Sequence, residues 1–421
     1  MGSDSDSSIA RHTTLLCSSS STPIQGLLPL PDTDYEISLH KSIVEIGPIW
    51  DTLVHDEHLA RSAYLRTLER TNPDHLKNLY LLIHLEDQAI GAILLQSAHI
   101  RPGDSFDYAN YNREPSLWKR LWIRFQQWFV SLFSFRMLCI GNLYLTGQYG
   151  VHMDQVPVED RDVLLQKIVR WLRKELCGTE YRFSGALFKD FFDHECLANP
   201  QEHGLISFQI DPNMILPIRS SWLSFDDYLL DMRSKYRIRL KSAMRKFDGI
   251  TRRELCLPEV KEYNADIYRL YNEILDGSGF VLARGDEDYF MVLKEELGDH
   301  FHLIGYFMDD TLIGFYTWVL DGPKMDSHFI GIDPAYNLRH QLYLNILLDL
   351  VRDSIKEGAK QLYYFRTALE IKSSVGAEPH DMTCYFKHMN TILNRLVAPT
   401  AFRYFVPAQE WTQRHPFKKM S

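Results

Sequence analysis

From Phe301 onward the apolar residues of the chain switch repeatedly between strand-like and helix-like spacing. His302–Met308 and Thr311–Leu320 are near-continuous apolar and aromatic runs joined by Asp309-Asp310, a pair suited to a two-residue hairpin. Met325–Ile332 reads as a third strand closed by Asp333-Pro334. Asn337–Lys356 carries helical spacing at Leu338, Leu342, Ile346, Leu350 and Val351, and ends at Glu357-Gly358, where a glycine can cap. Gln361–Phe365 is a short apolar strand, followed by a short helix around Arg366–Gly376 and a last strand running to Met389.

The front half repeats this order. Leu79–Glu86 and Gln88–Ser97 form a hairpin whose Asp87-Gln88-Ala89-Ile90-Gly91 matches Asp310-Thr311-Leu312-Ile313-Gly314 in the back half. Helical patterns precede each hairpin, at Glu57–Arg70 in front and at Val260–Leu275 and Glu287–Leu297 behind. After the first hairpin come a strand at Met137–Thr146, a helix at Val158–Leu176, and strands at Tyr181–Ser184 and Leu205–Ile210. Two copies of one α/β unit is the economical account. The break in periodicity at Asp211–Ser221 sets the expected division: a tail at 1–30, a front domain at 31–215, a back domain at 216–395 and an extension at 396–421.

The 421 residues give room for two domains, and 45% hydrophobic with 13% aromatic content indicates packed cores. A net charge of −9 argues against a general nucleic-acid coat. Six scattered cysteines without a C-x-x-C pair fit free thiols in a reducing compartment better than disulfides or zinc. Residues 1–25 lack the apolar core of a secretory signal, and Asp6 stands where a myristoylation motif needs Ser or Thr. These features lead to a cytoplasmic expectation. Leu117–Phe135 places Trp118, Trp122, Phe125, Phe129, Leu132 and Phe133 on one stripe flanked by Lys119, Arg120 and Arg124. It reads either as a core helix with snorkelling cations or as peripheral contact with the inner membrane face.

The order of elements in the back half resembles the second half of the GNAT acyltransferase fold. The segment Arg366-Thr367-Ala368-Leu369-Glu370-Ile371-Lys372-Ser373-Ser374-Val375-Gly376-Ala377 resembles the Fem-type branch (peptidoglycan biosynthesis and recognition), in which a lysine precedes a glycine-ended turn. The resemblance implies tandem GNAT-like domains. Each would be a mixed, mostly antiparallel sheet with a splayed parallel strand pair between flanking helices, the front copy diverged. It also implies transfer of an acyl or aminoacyl group to a small-molecule or lipid-linked amine, with a cell-envelope precursor as one candidate. Acyl-CoA or aminoacyl-tRNA would be the co-substrate, with no other cofactor and no metal. An acyl-CoA-dependent N-acetyltransferase and a silent GNAT-fold binding protein are the alternatives.

By the same resemblance the donor lies between Met325–Ile332 and Gln361–Phe365. Its phosphates would fall near Asn337, Arg339 and His340, with Ile330 on the strand wall. The turn there, Tyr336-Asn337-Leu338-Arg339-His340-Gln341, has no glycine, which weakens acetyl-CoA as donor; the Fem type lacks that glycine too. Lys372 matches the Fem-type lysine and is expected near an oxyanion or an acceptor anion. Arg366, Thr367 and Glu370 accompany it as substrate contacts, Thr367 capping the short helix and Glu370 pairing with Arg366. An attacking amine needs a base, and strand alternation puts Asp326 and His328 on one face, with Tyr364 and Tyr385 nearby. A satisfied core histidine is the competing reading of His328. Finally, Ser224–Phe247 reads as one basic helix with Arg233, Arg237, Lys241 and Arg245 every four residues, either a solvated face or an anion site in which Arg237 and Lys241 take part.

Overall fold

The computed structural model describes residues 26–54, 57–100, 135–192, 197, 199–277, 283–397 and 411–418. The front half contributes strands β1 (Leu28–Pro29), β2 (Glu36–His40), β3 (Leu76–Leu85), β4 (Gln88–Ile100), β5 (Phe135–Ile140), β6 (Val151–His152), β7 (Gly185–Phe192), β8 (Ile206–Gln209) and β9 (Asn213–Pro217). Its helices are α1 (Gly47–Leu53), α2 (Ser62–Thr71) and α3 (Val158–Glu175). The back half begins with α4 (Phe225–Asp231), α5 (Ser234–Arg245), β10 (Ile250–Glu254), α6 (Leu257–Glu262), α7 (Asn264–Asp276) and α8 (Tyr289–Leu297). It continues with β11 (Phe301–Met308), β12 (Thr311–Asp321), β13 (Lys324–Ile332), α9 (Pro334–His340), α10 (Leu342–Lys356), β14 (Gln361–Tyr363), α11 (Leu369–Ser374), β15 (Glu378–His380) and β16 (Met382–His388).

These strands form two sheets, ordered β1-β2-β3-β4-β5-β7-β16-β8, with β6 beside β4, and β10-β11-β12-β13-β14-β9-β15. Each contains one parallel pair, β5 with β7 and β13 with β14; every other pairing is antiparallel. Two copies of one α/β unit in tandem is therefore the architecture.

The closing strands, however, are exchanged. β8 and β9 are consecutive in the chain, yet β8 pairs with β16 while β9 lies between β14 and β15. Reciprocally, β15 and β16 are consecutive, and β16 inserts between β7 and β8 of the front sheet. Met382–His388, read from sequence as the end of the back sheet, thus belongs to the front one. Sheet membership does not follow a single division near residue 215.

The strands read as unbroken apolar runs because both faces of each sheet are covered. One face of the front sheet (Leu79, Leu81, Ile93, Leu138, Phe188) packs on α3 through Leu165, Ile168 and Leu172. One face of the back sheet (Tyr306, Tyr316, Met325, Leu362) packs on α10 through Ile346, Leu347 and Leu350. The opposite faces share a third core with α1, α2, α7 and α8, rich in aromatic rings: Trp50, Tyr64, Tyr80, Tyr144, Tyr271, Tyr289, Phe290 and Phe315.

Tertiary contacts reset several local boundaries. The basic stretch is two helices, because Met232 and Arg233 are extended. There Arg233 N donates to Pro416 O (2.8 Å) and Lys418 N to Asp231 O (3.1 Å), so the C-terminal segment takes the backbone groups a continuous helix would use. Asn337–Lys356 breaks at Gln341, which is left-handed (φ 53, ψ 42). The front strand expected at Tyr181–Ser184 starts at Gly185 instead. Most of Leu117–Phe135 lies outside the described residues, as do residues 1–25. Among the described residues no helix is long and apolar enough to cross a membrane.

Candidate active site at the strand fork

β13 and β14 pair over three residues only, Lys324↔Gln361, Met325↔Leu362 and Asp326↔Tyr363, and then part. A bulge in β13 begins the parting: His328 and Phe329 stand opposite the single residue Thr317. The Thr317 hydroxyl holds the bulge, accepting from Phe329 N (2.8 Å) and donating to Phe329 O (3.2 Å). On the other arm, Tyr364 N donates to Met214 O (2.9 Å) and Met214 N to Phe365 O (3.2 Å), so β14 is drawn towards β9 and away from β13.

Asp326 sits at the point of parting and is fully buried. The Lys324 ammonium is 3.2 Å from its Oδ2, but neither carboxylate oxygen has a well-directed hydrogen bond, and the Tyr149 hydroxyl beside it also lacks one. Burial raises the Asp326 pKa, with Lys324 opposing. Asp321, the last residue of β12, accepts from His58 N (2.8 Å); burial and then the Asp326 charge push it up to about 7. Burial works against the Lys324 charge, but Asp326, Glu57 and Asp321 outweigh it and raise its pKa. Its ammonium also lies over the rings of Tyr149 (4.5 Å) and Tyr363 (5.2 Å). A buried carboxylate whose pKa stays raised despite the Lys324 ammonium beside it is a group poised to take a proton.

The front copy has the same fork. β5 and β7 part after Ile140↔Phe188, and two residues beyond the last pair Asp190 is left-handed (φ 63), as Phe365 is (φ 59) two residues beyond Tyr363. The two forks meet there. Arg366 clamps Asp190 with both terminal nitrogens (3.1 and 2.5 Å) and donates from Nε to Asp211 O (2.8 Å). Asp190 also takes the Lys189 ammonium, Gly147 N (3.0 Å) and the Cys384 thiol of β16 (3.2 Å). Burial disfavours its charge, but Arg366 and Lys189 outweigh that and hold its carboxyl well below the usual range.

Lys372 is buried on α11. Its Nζ donates to Tyr364 O (2.7 Å), Phe365 O (3.3 Å) and Arg366 O, so all three protons go to the turn that leaves β14, and burial pushes its pKa down to about 7. It lies beside the fork as a clamp on the backbone. His328 is not joined to Asp326: its Nε2 lies 3.1 Å from the Tyr289 hydroxyl among Tyr64, Phe301 and Phe329, and burial lowers its pKa to about 3. Tyr364 points away, donating to Leu347 O (2.7 Å) on α10, and Tyr385 accepts from Leu197 N (3.1 Å) in the front half.

Thr367 does not cap α11, whose N-cap is Ala368 without a side-chain bond, and Glu370 pairs with Arg414 instead of Arg366. Around the expected phosphate position, Asn337 Oδ1 already accepts from Tyr343 N (3.1 Å) in the first turn of α10. His340 Nδ1 lies 2.9 Å from Lys246 O, Ile330 is half-buried in the ladder opposite Tyr316, and Arg339 is exposed. Arg237 is tied to Leu230 O and Met232 O (3.4 Å each), and Lys241 is exposed. Sequence reading missed Lys189, Asp190, Tyr149, Asp321 and Lys324. A Lys-Asp pair within the aromatic run Gly185–Phe192 was the available signal for the first two.

The sequence matches no family model and no curated protein. In structure the chain is similar to FemX, at 11% identity over 85% of this chain and 98% of that one, with a TM-score of 0.51. Weaker likenesses reach the C-terminal domain of a putative lysylphosphatidylglycerol synthetase from Agrobacterium fabrum (10% identity, 87% and 98% covered, TM-score 0.49). They extend to a tandem GNAT protein from the clavulanic acid biosynthesis pathway (12% identity, 84% and 99% covered, TM-score 0.47). With two mixed sheets, each carrying one splayed parallel pair, the chain has the Fem-like GNAT fold in tandem.

Proposed function

We propose that the protein transfers an acyl or aminoacyl group to an amine at the β13–β14 fork, with Asp326 as the base. The observation that carries this reading is the fully buried carboxylate, beside the Lys324 ammonium, at the point where the strands part. In the step, the amine nitrogen bonds to the acyl carbonyl carbon and the carbon–leaving-group bond breaks. The ammonium proton passes to the Asp326 carboxylate, whose burial-raised pKa brings it nearer that of the amine than an exposed aspartate would be. The leaving thiolate or alkoxide takes that proton from Asp326 as it departs, which restores the carboxylate. Lys324, 3.2 Å from Asp326, supplies positive charge beside the developing oxyanion. Lys372 shapes the arm of the fork through its three carbonyl bonds and is a positioning residue.

The first turn of α10 favours an aminoacyl ester over a coenzyme thioester as donor. It is occupied by the Asn337 side chain and preceded by α9 where a pyrophosphate would need open backbone N–H groups. The acceptor is an amine, of which a cell-envelope precursor is one candidate implied by the Fem-type resemblance. The test is donor consumption by the purified protein, comparing charged tRNA with a set of acyl-CoA thioesters in the presence of diverse amines. Amine-dependent loss of either donor, reduced at least about a hundredfold in Asp326→Asn, is expected. Turnover that survives this substitution moves the chemistry away from the fork, and no consumption of any donor favours a binding role for it.

A further inference from the structure

The stretch that holds α5 has a composition unlike the rest of this acidic chain, and it lies between α4 and α9. Between Met232 and Phe247 there are seven Lys or Arg residues and no Asp or Glu, in a protein of net charge −9. Arg233, Lys235, Arg239, Lys241, Arg245 and Lys246 are exposed. None of them forms an ion pair with a carboxylate among the described residues, although cations elsewhere commonly do. Leu240 and Ala243 turn the opposite face of α5 into the core. At 100° per residue the centre of the outward face falls on Ile238, which is 65% exposed, with Lys241 and Arg245 on one side and Lys235, Arg239 and Lys246 on the other.

More exposed aliphatics lie next to both ends of α5. Leu230 is 62% exposed, and its carbonyl holds Arg237 (3.4 Å) and Lys418 (2.7 Å). At the other end, the His340 to Lys246 contact brings α9 against the end of α5, and Leu338 there is 83% exposed beside exposed Arg339. We propose that this region docks on an anionic bilayer surface. Leu230, Ile238 and Leu338 would enter the headgroup boundary, and the surrounding cations would meet lipid phosphates.

The choice of partner rests on what lies between the cations. Proteins that follow a single-stranded nucleic acid interleave basic residues with exposed aromatic rings on which bases stack. Here the interleaved side chains are branched aliphatics, while Tyr236 and Phe247 of the same stretch are half-buried against the core. Aliphatics inside a cationic field match a headgroup boundary, where burial of apolar side chains and attraction to anionic lipid add. The inference does not depend on the proposed chemistry at Asp326.

Co-sedimentation of the full chain with vesicles tests it, comparing phosphatidylcholine alone with phosphatidylcholine containing about one-third phosphatidylglycerol. Pelleting should require phosphatidylglycerol and should weaken as salt shortens the Debye length. Arg239→Glu with Arg245→Glu should reduce partitioning at least about tenfold. Ile238→Ser should reduce it severalfold, and the thermal melts of both variants should match the wild type. Equal pelleting with both lipids, or anionic pelleting that survives both substitutions, overturns the assignment to this surface. So does tRNA binding lost in the charge reversal but untouched by Ile238→Ser, without vesicle binding.

Discussion

At the scale of single residues, the side chains to watch are those whose burial conflicts with their charge. Asp321 has a pKa of about 7 in the folded protein against 3.8 as reference. Between those values the folded chain holds a proton the unfolded chain has released, so this residue destabilises the fold above its folded pKa and the penalty fades as pH falls. Asp321→Asn, which keeps an acceptor for His58 N, should therefore melt higher than wild type above about pH 8. That advantage should shrink as pH falls below about 7 and vanish only towards about pH 4 in a series of thermal melts. A constant offset would mean that Asp321 does not titrate in this range. Asp326→Asn should remove turnover and should also lower the melting temperature, because it takes from the Lys324 ammonium the carboxylate 3.2 Å away that sustains its charge against burial. His328 is the contrasting case: stacked at 28° on Tyr289 with its pKa near 3, it stays neutral through the physiological range and serves the aromatic core.

At the scale of elements, the segment from Phe365 to Gly376 is the most constrained part of the chain. Phe365, Thr367 and Ala368 all have positive φ, an arrangement costing about 1–3 kcal/mol each that surrounding contacts must hold in place. Lys372 supplies three of those contacts. Lys372→Met would leave three carbonyls without their donor, and a loss of about 3 kcal/mol in urea unfolding is expected, with Lys372→Arg failing to restore it for lack of space. Wild-type stability in Lys372→Met would show that the turn stands without the clamp. Gly376 closes the segment at φ +105, and an added Cβ would lie 2.3 Å from the Phe417 ring. Gly376→Ala should therefore displace the C-terminal segment as well as strain the backbone. Faster proteolysis near residues 411–418 would register it, and an unchanged cleavage pattern would count against it.

At the scale of the whole molecule, strand exchange makes the two halves interdependent. Residues 26–211 alone would lack β16 and expose the long edge of β7, while 218–397 alone would lack β9 beside β14. Open edges of this length invite aggregation, so each half expressed separately should aggregate or fail to give a cooperative melt. A well-dispersed spectrum from either half would show that the exchange is dispensable. The Asp190–Arg366 pair ties the two forks in the same region, at 2.5 Å, with Asp190 fully buried and Arg366 largely so. Arg366→Met leaves Asp190 charged against Lys189 alone and should cost about 3–5 kcal/mol. Adding Asp190→Asn should return part of that loss, since the second change removes the stranded charge.

The chain's own pattern determined the two α/β units, the hairpins at Glu86-Asp87 and Asp309-Asp310, and the helices α3 and α10. Those features depend on local spacing and turn chemistry, which a linear sequence carries directly. Which sheet receives β9 and β16 was decided only by the tertiary structure. An apolar antiparallel strand of five to seven residues satisfies either neighbour equally well in pattern, and a connection of a few residues can reach both. The break of the basic stretch at Met232 likewise needed Phe417, far away in sequence, to claim its backbone. The candidate site followed the same division. Asp326 was visible as a charge on an apolar strand, but the partners that set its state, Lys324, Tyr149 and Asp321, depend on which strands and loops converge. So does the meeting of Asp190 with Arg366, since ion pairing between residues so far apart in sequence is fixed by topology and leaves no period in the chain.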